Sequence, residues 1–178
     1  MIALAHLLVA LVICKFFNLD RTESFAVLLF GVFIDLDHTF AMIDFIRIQG
    51  FSGALDYQAA MASDLEWKSL LHNPVAIAII GPASAGFRMC LPAFAWGLHL
   101  IMDWVQIEYL GVLSMTEIVL MVALVVILIS LEKRDLESKG LTHTYLEASI
   151  SLLHQGGEEL VRLFRPFRAS QESRDIYP

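Results

Sequence analysis

The sequence predicts an all-α, polytopic membrane protein, with about five transmembrane helices and an amphipathic cytosolic tail. Two observations predict it. Of 178 residues, 57% are hydrophobic and only 17% charged, against roughly 25% charged in an ordinary soluble domain. The apolar residues also fall in blocks separated by charged patches, as they do in small polytopic chains. Residues 1–131 form the expected transmembrane domain, with a long outer loop at 47–72, and residues 132–178 the tail. The net charge of -7 leaves no broad basic surface and argues against a nucleic-acid partner. Cys14 and Cys90 each sit in an apolar run, as buried thiols do, without the spacing of a disulfide framework or thiolate metal site.

The first expected segment runs from Ile2 to Phe17 and is apolar except for His6 and Lys15. It lacks the basic start and small-residue exit of a cleaved signal peptide. The second, Ser24 to Ile46, carries Asp35, Asp37, His38 and Asp44 in its latter half. The third, Pro74 to Phe87, is short and broken by Gly81, Pro82 and Gly86, and the fourth, Met89 to Ile107, contains His99 and Asp103. Short segments of this kind are expected where helices enclose polar groups and do not face lipid all round. Val112 to Leu131 is the clearest span, with the roughly 20 apolar residues a bilayer demands.

Short cytoplasmic loops carry an excess of Lys and Arg. The tail holds Lys133, Arg134, Lys139, Arg162, Arg165, Arg168 and Arg174, so it is placed inside. Within the outer loop, Leu55, Ala59, Ala62, Leu65 and Trp67 recur at helical spacing, which predicts an interfacial helix. Leu141 to Phe167 has helical periodicity interrupted at Gly156 and Gly157, and its arginines suit an anionic inner leaflet.

Threading the chain through the bilayer brings His6, Asp35, His38, His72, His99 and Asp103 to one side and a similar depth. An ionisable residue costs roughly 2.5 to 3.5 kcal/mol at a helix centre on insertion scales, so these groups should converge and satisfy one another. Asp35 with His38, three apart, and His99 with Asp103, four apart, each share a helix face. Imidazoles mixed with carboxylates suit a divalent metal: zinc first, manganese or iron as alternatives. Six candidates exceed the three protein ligands of a typical catalytic zinc. Either two ions are bound, or some members stand behind the ligands. Asp37 lies about 200° round a regular helix from Asp35 and is the candidate base or supporting residue. His143 and His154 fall in the tail, away from this set.

At these positions the sequence resembles the YdjM-like family of membrane-bound metal-dependent hydrolases. The resemblance rests on His6, on Asp35-Leu36-Asp37-His38, on Leu71-His72-Asn73-Pro74 and on His99-Leu100-Ile101-Met102-Asp103, in that order, and covers about residues 1 to 110. Ile34 stands where the family commonly has proline, and Leu-His-Asn replaces its longer Arg-Gly-x-Thr-His-Ser stretch. The resemblance implies hydrolysis assisted by a divalent metal. Together these readings predict an integral membrane hydrolase whose site opens near the outer face, acting on a lipid or lipid-linked phosphoester. A transporter or metal-handling protein using the same His/Asp cluster is the alternative.

Overall fold

The computed structural model describes residues 3–53, 70–110, 114–140 and 144–172. All regular structure among them is helical. The helices are α1 (Ala3–Phe16), α2 (Arg21–Gly31), α3 (His38–Gly53), α4 (Ile77–Ser84), α5 (Leu91–Val105), α6 (Met115–Ser138) and α7 (Tyr145–Glu172). Short 3-10 turns at Phe33–Asp37, Leu70–His72, Pro74–Ala76 and Arg88–Cys90 punctuate the first half, and a π-helical turn, Gln106–Leu110, extends α5. The chain divides into two compact units, Met1–Leu124 and Val125–Pro178.

The expectation of about five transmembrane helices is corrected here. Among the described residues, only Met115–Ser138 is long and apolar enough to cross a membrane. α1 has 14 residues and α5 has 15, so each rises about 22 Å against a hydrocarbon core of about 30 Å. The second expected segment is two helices, because Val32 (φ -136°, ψ -52°) leaves the helical region and a 3-10 turn follows. The third is a 3-10 turn and an eight-residue helix carrying Pro82. These blocks read as spans because their helices are apolar outside as well as inside: Phe25, Leu29, Ile43, Phe94 and Ile101 all stay exposed.

Within the first unit, α2 starts on a reciprocal capping box. Asp20 accepts from the Glu23 N–H at 2.8 Å, and Glu23 accepts from the Asp20 N–H at 3.2 Å. One core cluster joins Ala10 and Ile13 of α1, Val27 of α2, and Leu91 and Ala95 of α5. A second joins Ile34, Ala76, Ile80 and Trp96. Small residues let α2 and α5 approach closely. A Cβ at Gly31 would lie 3.4 Å from the Ala95 Cβ and 3.8 Å from that of Ala10.

The second unit contains the end of α6 and all of α7. Gly140, at φ +79°, takes the left-handed conformation that closes α6 without a Cβ penalty. Thr144 and Glu147 form the capping box that opens α7: the Thr144 N–H donates to Glu147 at 2.7 Å and the Glu147 N–H to Thr144 Oγ1 at 3.3 Å. α7 continues through Gly156 and Gly157. Glu132 is fully buried and accepts from Ser151 Oγ at 2.8 Å and Gln155 Nε2 at 2.7 Å. The interfacial helix expected in the outer loop, His143, and the side chains of Arg162, Arg165 and Arg168 lie outside the described residues.

Candidate metal centre

Four elements deliver the site. α5 presents His99 and Asp103 one turn apart, both buried. The turn after α2 carries Asp35, its N–H donating to Val32 O at 3.1 Å. The turn Leu70–His72 delivers His72 and is pinned on both sides. The Trp96 indole N–H donates to Leu71 O at 2.7 Å, and Asn73 caps the next turn by accepting from the Val75 N–H at 3.0 Å. α1 supplies His6, which is 1% exposed.

Asp35, His72, His99 and Asp103 each offer a ligand atom, these atoms lie within 4.8 Å of one another, and together they could hold a metal ion. Three of them form a nearly equilateral triangle. Asp35 Oδ1 is 3.2 Å from His72 Nε2 and 3.2 Å from His99 Nε2, and the two nitrogens are 3.3 Å apart. Asp103 Oδ2 lies 3.7 Å from His99 Nε2.

Proton placement decides what this triangle means. A carbonyl oxygen only accepts, so the 3.0 Å contact between His99 Nδ1 and Gly31 O commits the His99 proton to Nδ1. The other ring nitrogen, Nε2, faces Asp35 Oδ1 at 3.2 Å, where a ring protonated at both nitrogens donates and a ring protonated at Nδ1 alone offers a lone pair. Either a second ring proton or a cation can sit between Nε2 and Oδ1, and a bound metal would take the place of that proton. The bond to Gly31 is also the usual support for a metal-ligating histidine, whose second nitrogen donates to a carbonyl or carboxylate.

Both carboxylates are held in the ionised form that suits ligation. Burial pushes the Asp35 carboxyl up, but its hydrogen bonds with His72 and His99 outweigh that and hold it well below the usual carboxylate range. Asp103 behaves alike, burial being outweighed by the hydrogen bond from His6 among others. Burial lowers the His6 imidazole, and the Asp103 hydrogen bond offsets this only in part. Ionised carboxylates and neutral imidazoles are the forms that bind metals.

Not every expected residue joins the four. His6 donates from Nε2 to Asp103 Oδ1 at 3.1 Å and stacks on His99, with ring centroids 3.9 Å apart and planes at 26°. His38 opens α3 and meets the His72 ring edge-on at 4.8 Å between centroids. Asp37 ends the 3-10 turn, and its side chain lies outside the described residues. Gln106 and Glu117 are buried polar residues outside the expected set. Gln106 sits three residues beyond Asp103 and seven beyond His99, on the same helical face, and its Nε2 lies 3.5 Å from the fully buried Glu117. The i+7 spacing from His99 was the available signal for Gln106. No family model, curated protein or solved structure matches this chain.

Proposed function

We propose that the protein is a membrane-anchored, metal-dependent hydrolase that takes a lipid or lipid-linked phosphoester at the outer membrane face. Asp35, His72, His99 and Asp103 would hold one divalent ion, and zinc is the ion proposed. The observation that carries this reading is the gathering of ligand atoms from Asp35, His72, His99 and Asp103 within 4.8 Å of one another, with His99 Nδ1 held by Gly31 O. Zinc is supported by the triangle itself. Zinc–ligand lengths of about 2.0 to 2.1 Å give a tetrahedron with edges of about 3.3 to 3.4 Å, close to the spacing of the three ligand atoms. The ordered set of His6, Asp35 to His38, His72, and His99 with Asp103 also supports kinship with the YdjM-like hydrolases.

A bound divalent ion would supply Lewis acidity toward a phosphoryl or carbonyl oxygen and activate water. The chain's own residues do the rest. Gly31 O fixes the plane and tautomer of His99, Trp96 fixes the backbone beside His72, and ionised Asp35 adds negative charge that favours a cation. Phe33 and Leu36, 44% and 63% exposed, flank Asp35 and offer an apolar surface beside the ligands, which supports a lipidic substrate. α6 is the proposed membrane anchor. Its most apolar stretch stays largely exposed, unlike the core helix of a soluble protein. Lys133, Arg134 and Lys139 at its end support a cytoplasmic C-terminus.

The test begins with elemental analysis of detergent-purified protein, followed by phosphate release from phosphatidic acid vesicles with and without zinc. Near-stoichiometric metal and zinc-dependent release are expected. Folded protein that takes up neither zinc nor manganese would sink the hydrolase reading. Metal-dependent ion flux into proteoliposomes without hydrolysis would replace it with a transporter.

A further inference from the structure

His6 is paired with Asp103 in a way that gives it a role of its own. Asp103 is ionised and only accepts, so the proton of the neutral ring sits on Nε2, 3.1 Å from Asp103 Oδ1. Nδ1 is then a bare acceptor. It is buried and has no hydrogen-bond partner among the described residues. The small cavity beside the ring is lined also by Gly31, by His99, whose Nδ1 is engaged by Gly31 O, and by the Val9, Ala10, Ile13, Ala95 and Met102 side chains, which offer no N–H or O–H donor. A residue kept only for packing would be apolar, because a buried nitrogen without a partner loses its water and gains nothing in return. Among the described residues, the polar bond the ring makes is to Asp103, a residue of the metal group.

We infer that His6 is a positioning residue, not a ligand: through its Nε2–H bond to Asp103 and its stack on His99 it orients two members of the metal group. The inference rests on the metal reading of the site. Asp103 Oδ1 is engaged by His6 while Oδ2 lies toward His99 Nε2. The carboxylate is thereby held from behind, as a metal-ligating histidine is held by a carboxylate or carbonyl. The stack on His99, at 3.9 Å and 26°, limits tilting of the ring that the Gly31 carbonyl already orients. His6 thus restrains one donor from each of two positions on α5.

Cobalt(II) is the probe for the test, titrated into the full-length protein in detergent and read by visible absorption and X-ray absorption. His6→Ala is expected to keep the wild-type stoichiometry but weaken affinity about 10- to 100-fold. His6→Gln, whose amide N–H can still reach Asp103, should recover most of that loss. The imidazole count at cobalt should be the same in wild type and His6→Gln. Loss of one imidazole in His6→Gln would make His6 a ligand and overturn the inference. Unchanged affinity in folded His6→Ala would reduce His6 to packing and overturn it as well. If His6→Ala does not fold, the His6→Gln spectrum decides alone. Wild type that binds no cobalt, zinc or manganese would remove the metal reading and this inference together, whereas binding that ignores both substitutions removes only the inference.

Discussion

Glu132 in the second unit is fully buried and Asp35 in the first is half-buried, and the two carboxylates meet different company. In the second unit, Glu132 is met by donors: a hydroxyl at 2.8 Å and an amide N–H at 2.7 Å. Its charge is answered inside the protein, as buried charges ordinarily are. In the first unit, Asp35 Oδ1 faces two imidazole nitrogens, His72 Nε2 and His99 Nε2, each at 3.2 Å, with Asp103 Oδ2 3.7 Å from the latter. Glu132 closes a network between α6 and α7, whereas Asp35 sits among the imidazole nitrogens and carboxylate of a possible metal group. A buried carboxylate alone is therefore poor grounds for a metal site. The convergence of four ligand atoms within 4.8 Å is the informative feature.

The contrast can be broken most sharply by exchanging the two roles. His99→Ala should remove stoichiometric zinc, a loss of at least about 100-fold in affinity, whereas Glu132→Gln should leave metal content unchanged, both read by elemental analysis with circular dichroism as a folding check. Equal metal loss in the two variants would erase the distinction. Next in size, Glu132→Ala should destabilise the α6–α7 pair by about 1 to 3 kcal/mol, the range for hydrogen bonds to a charged group. Denaturant unfolding measures it, and a value near zero would show that Ser151 and Gln155 do not hold the helices. The smallest expected effect is Gly31→Ala. The added methyl reaches ordinary contact at 3.4 Å from the Ala95 Cβ, so the Gly31 carbonyl should stay on His99 and zinc affinity should change by less than about threefold. A tenfold loss would mean that α2 and α5 tolerate no widening at all.

Much of the candidate site was legible because ionisable residues are conspicuous in apolar sequence. Asp35, His99 and Asp103 stand out for that reason, and the four-residue spacing of the last two already sets them on one face of α5. His72 was legible only through the motif around it, since it sits in a 3-10 turn with no periodicity to read. The division of labour between His6 and the four grouped residues was not legible. Threading through a membrane gives depth but not which nitrogen meets which oxygen. Gln106 and Glu117 escaped notice because an amide is unremarkable in a sequence and the glutamate begins an otherwise apolar run.

Helical class, the apolar length of α6 and the inventory of metal-ligating side chains follow from the sequence alone, because propensity and hydropathy act over a few neighbouring residues. The number of helices able to cross a membrane was misjudged from it. Composition reports how much apolar surface a block carries, not whether Val32 ends a helix or Pro82 interrupts one. Only the tertiary structure brought Asp35, 37 residues away in sequence, to His72, and His6, 97 residues away, to Asp103. Those meetings depend on the close approach of α2 to α5 at Gly31 and Ala95, and on a carbonyl that settles where one imidazole proton must sit.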